Sequence, residues 1–387
     1  MHADGYDPLD PKGNITIKWD LLQSNSDTND VKVSLLNFQL YRHIELPGWK
    51  LGWEWLGKEV IWSIQGAEAT EQGNCSRFKG GQLPHCCEKK PLIVDLLPGA
   101  PYNIQTSNCC KGGVLSSMIQ DPTKYAAVFQ MNIGAGGVAD SDFDMPQNFS
   151  LGVPGYTCAK PVQVAPSKYS SDGGRRWTQA LGTWNVTCIY SQYQASTSPK
   201  CCVSLSAFYN DSIVHCPKCS CSCQGLSGSK CIWRNTIAIA TSKRLKSRAA
   251  IDSEMHTNYS GWNLVALHPN LKSLTQVFSF NYHPLNQYGH INDSGMFWGV
   301  EYYNDMLLQE GEVGNVQSEM LLHKDEGIFS FREGWVFPKR ILFNGDECVM
   351  PPPGDYPRLP KNTARAASFT LSIIFSSLFM LLIIFAC

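Results

Sequence analysis

Apolar and polar residues alternate with a period of two along much of the chain. Ile15, Ile17, Trp19 and Leu21 interleave with Asn14, Thr16, Lys18 and Asp20, and Tyr125, Ala127, Phe129, Met131 and Ile133 repeat the pattern. Trp184, Val186, Cys188 and Tyr190 do so again, followed by a later stripe of Phe278, Phe280 and Tyr282. Phe297, Gly299 and Glu301 face away from Met296, Trp298 and Val300 in the same sense. A period of two is that of a strand whose faces meet different surroundings. Turn signals at Pro98-Gly99, Pro154-Gly155 and Asn344-Gly345 separate the runs, and helical periodicity is nearly absent. The pattern predicts an all-β protein of sandwich type.

The alternation is uneven enough to divide the chain. Residues 6–164 form a Trp-rich β domain, and 165–231 hold the densest cysteine cluster. Residues 258–350 form a second β region of sandwich-like pattern, and a Pro-rich polar linker over 351–368 leads into an apolar tail, 369–387. Between them, 232–257 stands apart. It carries Arg234, Lys243, Arg244, Lys246 and Arg248 with few strand signals.

Charge then removes one class of function. Lys plus Arg number 32 and Asp plus Glu 33, a balance that would not hold a phosphate backbone, so nucleic acid is not an expected partner. The tail FTLSIIFSSLFMLLIIFAC is uncharged and about as long as a bilayer-spanning helix, with no basic residues after it. Small residues at Asn362, Thr363 and Ala364, a polar spacer and a terminal apolar run make up a GPI-attachment signal. Asn362 is the expected attachment residue, with Ala364 or a neighbour as the alternative site and a retained tail anchor as the alternative mode. The tail would be discarded on anchoring, placing the protein on the extracellular face of the plasma membrane through a lipid in the outer leaflet. Seven Asn-x-Ser/Thr triplets, at Asn14, Asn74, Asn148, Asn185, Asn210, Asn258 and Asn292, fit a glycosylated ectodomain. The opening MHADGY has no leader pattern, so a signal peptide is expected to belong upstream of this sequence.

The cysteines number 16 and occur in clusters. Cys216, Cys219, Cys221 and Cys223 have spacing that zinc could use, but an oxidising compartment favours disulfides. Without Cys387 in the tail, the candidates are Cys75, Cys86, Cys87, Cys109, Cys110, Cys158, Cys188, Cys201, Cys202, Cys216, Cys219, Cys221, Cys223, Cys231 and Cys348. That is an odd number, which leaves one thiol over.

The aromatic residues carry the main functional question. PGWKLGWEWLG places Trp49, Leu51, Trp53 and Trp55 at steps of two, on one face of an extended strand and about 6–7 Å apart in succession. A flat row of indoles is one way to grip a polysaccharide, since the C–H faces of sugars stack on the rings. The same row could equally fill a sandwich core. Tyr41 and Trp62 are open to both readings. Enzymatic motifs mostly fail. Gly134-Ala-Gly136-Gly-Val-Ala139 fits a loose cofactor loop, but ADSDFDMP follows where a helix is needed. H-E-x-x-H and G-x-S-x-G are absent, and nothing in the sequence pairs any two of Glu54, Glu59, Glu68, Glu71 and Asp95 for glycosidase chemistry. His283 and His290 read as ordinary loop histidines. No cofactor, metal or catalytic residue is expected.

Several blocks are more specific. YDPLDPKGNITIKWD, YRHIELPGWKLGWEWLGKEVIWSIQGAEATEQGNCSRF, PHCCEKKPLIVDLLPGAPYNIQTSNCCKGG, CCVSLSAFYNDSIVHCPKCSCSC, WNLVALHPNLKSLTQVFSFNY and GDECVMPPPGDYP closely resemble the plant COBRA and COBRA-like family. Cys201-Cys202-Val203-Ser204 corresponds to the family's CCVS hallmark. The resemblance implies a GPI-anchored, non-enzymatic protein of the outer plasma-membrane face and cell wall. It implies an N-terminal module that binds cellulose or another β-glucan and assists cellulose deposition and microfibril orientation in oriented cell expansion. On that implication, some of Tyr41, Trp49, Trp53, Trp55 and Trp62 are displayed to a glucan. The rival functions are a wall-remodelling glycosidase or transglycosylase, and an adhesion-type scaffold that binds protein. The basic stretch at 232–257 departs from the family pattern, replacing a Pro-rich stretch, two cysteines and a strand.

Overall fold

The computed structural model describes residues 7, 9–79, 81–135, 144–170 and 174–195 of the first half of the chain. Beyond them it describes 201–204, 238–241, 261–268, 271, 274–285, 293–300, 302, 304, 318, 320–322 and 338–352. Among the described residues the regular secondary structure is almost entirely strand, as the alternation predicts.

The first strands are β1 (Ile15–Ser24), β2 (Asn29–Asn37), β3 (Lys50–Glu54), β4 (Val60–Gln65), β5 (Ala67–Ala69) and β6 (Leu92–Asp95). They are followed by β7 (Ala126–Gly134), β8 (Gln147–Ser150), β9 (Tyr156–Cys158), β10 (Val162–Val164), β11 (Lys168–Tyr169), β12 (Thr178–Gln179) and β13 (Gly182–Tyr190). A seven-stranded sheet runs β10-β13-β1-β2-β7-β4, with β9 also paired to β13. A four-stranded sheet runs β5-β6-β3-β8. The two sheets pack face to face as a sandwich, and their inner faces share one apolar core.

Register sorts the side chains. Trp19 lies opposite Trp184 on one side and Val33 on the other, and Val33 lies opposite Phe129. That row points inward, and the next, Val186, Ile17, Leu35 and Ala127, is likewise buried. From the opposing sheet, Trp53 meets the Trp19 ring edge-on at 5.3 Å and 88°. Trp55 and Phe149 approach the same ring at 6.3 and 5.9 Å. Trp49 stacks on Phe129 at 6.1 Å.

The sandwich extends past the boundary expected at residue 164. β13 pairs with β1 over seven positions, and the disulfide Cys158–Cys188 joins β9 to β13 inside the sheet. A domain ending at residue 164 would expose the whole β1 edge, which alternation within the β domain could not reveal.

The remaining strands are β14 (Cys201–Ser204), β15 (Ala238–Thr241), β16 (Asn263–Leu267), β17 (Leu274–Val277), β18 (Phe280–Pro284), β19 (Ser294–Gly299), β20 (Met320–Leu322), β21 (Arg340–Phe343) and β22 (Asp346–Glu347). Five of them form the sheet β18-β19-β16-β21-β22. Asn344-Gly345 makes the expected tight turn between β21 and β22, with both residues at positive φ (50° and 84°). β15 pairs with β14, so the basic segment does contribute a strand, contrary to its weak strand signal. Phe278 falls outside β18 and is exposed, so the expected stripe is reduced to Phe280 and Tyr282.

Four disulfides occur among the described residues: Cys75–Cys87, Cys109–Cys110, Cys158–Cys188 and Cys201–Cys348. Cys86 was expected in a bridge and is instead a buried free thiol, with burial pushing its pKa up. The side chain of Cys202, and Cys216, Cys219, Cys221, Cys223 and Cys231, lie outside the described residues.

Trp53→Ala removes a ring at the meeting point of both sheets, and it is expected to cost about 3–5 kcal/mol. Denaturant unfolding of the variant checks this, with a loss below about 1 kcal/mol counting against the central role given to this ring.

Candidate functional site

The five aromatic residues expected at a sugar-binding face divide sharply. Trp49, Trp53 and Trp55 do share a face, as their spacing requires, but it is the core face, and each is at most 2% exposed. Their indole N–H groups meet no protein acceptor, so packing alone holds them. None can present a ring to a polymer. The physical reason is that β3 lies inside the four-stranded sheet between β6 and β8, with its apolar side against the seven-stranded sheet.

Tyr41 is also fully buried, but elsewhere. It joins Leu9, Val265, Leu285, Met296 and Leu342 in the core of the second β region. It bolts the two regions together. Its hydroxyl donates to Asp7 Oδ2, and its backbone carbonyl accepts from Asn263 Nδ2 at 2.7 Å. Arg42 beside it reaches Asp7 at 3.0 Å, donates to the Gly345 carbonyl, and lies 4.0 Å from the Tyr190 ring centroid. Asn263 Nδ2 also donates to Gln120 Oε1 at 2.8 Å, and its backbone N–H donates to Asn344 Oδ1 at 2.7 Å. Asn344 in turn donates to Glu45, which contacts His43 at 2.7 Å. Spacing gives no hint of this joint, because Tyr41 and Asn263 lie 222 residues apart.

Trp62 alone of the five is only half-buried, although its indole N–H is itself buried without an acceptor. It sits on β4, the terminal strand of the seven-stranded sheet, where the register with β7 slips between Ile61 and Ser63. A bulge at a sheet edge re-aims a side chain, and here it turns Trp62 against Phe78 at 5.1 Å, edge to face. Arg77 covers Phe78, with its guanidinium 4.7 Å from the ring centroid. The loop carrying Phe78 is closed by Cys75–Cys87, and the neighbouring Ile61–Cys86 bridge shields part of the β4 edge. Ser63 and Gln65 continue the exposed side of the strand. Phe78 and Arg77 went unnoticed in the sequence because they lie in a loop without periodicity.

Two of the five carboxylates considered for acid–base chemistry are committed to other partners. Asp95 accepts from the backbone N–H groups of Cys110, Lys111 and Gly113 at 2.9–3.0 Å and so organises a loop. Glu54 is half-buried, and hydrogen bonds from Asn148 and Lys90 hold its pKa below the usual value. A group held ionised in this way is a poor general acid. Among the described residues, no three His, Cys, Asp or Glu side chains converge as metal ligands, and no helix is long and apolar enough to cross a membrane. Of the expected glycosylation sites, Asn74 and Asn148 are exposed, while Asn14 and Asn185 are half-buried, the latter with its side-chain oxygen out of solvent. Asn210, Asn258 and Asn292, the attachment residue Asn362 and the tail lie outside the described residues.

A model of the COBRA N-terminal domain matches residues 29–191, and one of the COBRA family C-terminal domain matches 200–254 and 237–357. The chain is 54% identical to COBRA-like protein 6 of Arabidopsis thaliana, a match covering 94% of this chain and 87% of the relative. The chain belongs to the COBRA family. COBRA-like protein 1 of Oryza sativa subsp. japonica is 49% identical over 95% of the chain and 91% of its own length. Protein COBRA of Arabidopsis thaliana is 46% identical over 96% and 90%. These relatives are named as COBRA-like proteins and not as enzymes. No solved structure matches the chain. The N-terminal COBRA match ends one residue after β13, in agreement with the sandwich and not with a boundary at 164.

The joint gives the stability of this chain a pH dependence. Asp10 accepts from the Leu40 N–H at 2.7 Å, and Gly13 packs so closely that a Cβ there would lie 2.1 Å from its carboxylate. Burial, with the nearby Asp7 carboxylate adding to it against the Leu40 hydrogen bond and Arg42, pushes the Asp10 pKa up from 3.8 to about 6. A raised folded-state pKa stabilises the fold below the unfolded value, and that contribution is lost as pH rises through the folded one. Thermal midpoints are therefore expected to fall between about pH 4 and pH 6, with a smaller fall in Asp10→Asn. An unchanged profile in the variant would exclude Asp10 as the source.

Proposed function

We propose that this COBRA-family chain is a non-enzymatic, membrane-tethered protein that binds cellulose or a related β-glucan and assists its deposition in the wall. The observation that carries the reading is the Trp62–Phe78 pair, an aromatic platform held at the rim of a rigid sandwich. Exposed Ser63 and Gln65 beside it offer hydroxyl and amide groups to sugar hydroxyls, while the ring takes a C–H face. A single platform of this kind gives modest affinity, and tethering raises the effective concentration at the site of synthesis. GPI attachment at Asn362 supplies the tether in this reading.

Depletion of the full chain from solution by crystalline cellulose tests the binding. Wild-type protein is expected to be retained, and Trp62→Ala and Phe78→Ala to lose about five- to tenfold in affinity while keeping their far-UV spectrum. No retention of folded wild type would sink the glucan reading, and full retention of both variants would remove the platform from it.

Anchoring has its own test. A phospholipase that cleaves phosphatidylinositol is expected to release the protein from membranes of a secreting plant host. Protein that stays membrane-bound after treatment would point to a retained apolar tail.

A further inference from the structure

A second surface lies at the other end of the seven-stranded sheet. The chain between β10 and β13 rises as a two-stranded arm, with β11 and β12 paired Lys168 to Gln179 and Tyr169 to Thr178. The arm is firmly rooted. Ser167 donates from Oγ to Asp20 Oδ1 at 2.6 Å and from its N–H to Thr183 Oγ1 at 3.0 Å. Ala180 N–H donates to the Ser167 carbonyl at 2.9 Å, and Leu181 N–H to the Leu21 carbonyl at 2.8 Å.

Above that base the arm carries an unusual combination. Trp177 leaves 65% of its surface in water, and Val162 and Leu181 on the adjoining edge are each 61% exposed. Arg175, Arg176 and Lys168 are exposed on the same arm, and Lys160 precedes it. Between residues 159 and 190 the only acidic side chain in the sequence is Asp172. An indole kept in water gives up the free energy of burial, and an exposed indole flanked by guanidinium groups is the composition of a binding surface. The chain as a whole has a net charge of −1, so this basic cluster is local.

The pairing of groups selects the ligand. Guanidinium forks match carboxylates in two-point hydrogen bonds, and an indole face takes the C–H side of a sugar ring. Gln179, exposed two residues from Trp177, adds an amide for hydroxyls. A polymer whose sugar rings themselves carry carboxylates satisfies all three at once. An anionic bilayer would use the charge and the exposed Val162 and Leu181, but it would leave the Gln179 amide without a sugar hydroxyl to meet. We infer that the arm, at residues 167–170 and 174–180, is a binding site for an acidic, uronate-containing polysaccharide, with Trp177 as the stacking ring and Arg175 as a carboxylate contact. This surface is separate from the Trp62 platform, and its ligand is not the neutral glucan.

Native-gel affinity electrophoresis of the full chain tests it, with polygalacturonate, its fully methyl-esterified form or a soluble neutral β-glucan cast in the gel. Wild type is expected to be retarded by polygalacturonate and released by added salt, with little retardation by the ester. Trp177→Ala and Arg175→Gln are each expected to weaken retardation about three- to tenfold, and Trp177→Tyr to recover most of it. Neither arm variant should alter cellulose depletion, and Trp62→Ala should not alter the polygalacturonate result. The inference is overturned by absence of retardation in wild type, by equal retardation on the ester, or by unaltered retardation in both weakening variants. Displacement from the polymer by anionic phospholipid vesicles, at equal charge and more completely than by free polygalacturonate, would reassign the arm to a membrane.

Discussion

The edge-on contact of Trp19 with Trp53 is the point from which the N-terminal half is organised. It joins the seven-stranded sheet to the four-stranded one, and Trp55 and Phe149 close around the same ring. Indoles fill volume that no aliphatic residue could, so the sheet spacing and the register of β1 and β3 are fixed together. Everything at the rim follows from that. With four tryptophans committed to the core, any stacking surface would have to lie on strands and loops that the opposing sheet does not cover.

That displacement explains what the sequence revealed and what it hid. Alternation correctly placed Trp49, Trp53 and Trp55 on one face and predicted an all-β chain, because both follow from local geometry. It could not say whether that face meets solvent or a second sheet. The answer depends on β6 and β8 flanking β3, a contact between segments 40 to 100 residues apart. The same limit applies to the end of the sandwich. β13 reads as a strand on its own pattern, but its pairing with β1 is non-local, so a boundary placed before it looked equally reasonable. The bulge that turns Trp62 outward is a one-residue slip between β4 and β7, with no residue pattern of its own.

Tyr41 and Arg42 show a third kind of illegibility. In the sequence they adjoin the Trp-rich stretch, and in the fold they belong to the junction with the second β region. Tyr41 brings apolar volume to a core built mostly by β16, β19 and β21, while Arg42, Asn263 and Asn344 satisfy polar groups around it. Apolar insertion ringed by hydrogen-bonded polar groups, with Asn263 Oδ1 the one buried atom among them left without a partner, is costly to separate, since opening it would expose the ring and orphan several buried donors. The Cys201–Cys348 bridge then ties the start of the second region to its end, 147 residues on. The two COBRA domains are therefore joined by packing and hydrogen bonding at Tyr41, beyond their covalent link.

The strand order gives the two rims their relation. β4 ends the seven-stranded sheet on one side and β10 on the other, and five inter-strand steps of about 4.8 Å separate them by roughly 24 Å. Trp62 stands on the first, and the arm bearing Trp177 rises from the chain that follows the second. Both are borne by one hydrogen-bonded sheet, so neither can shift far without straining the ladder between them. A neutral glucan at one rim and an acidic polymer at the other would lie too far apart to compete for the same atoms. Such a sheet could hold both at a fixed separation, and tethering at the membrane would set the pair at the surface where new polymer emerges. The burial of the Trp row removes the most obvious binding face, so any polymer contact on this sandwich would fall to its two opposite rims.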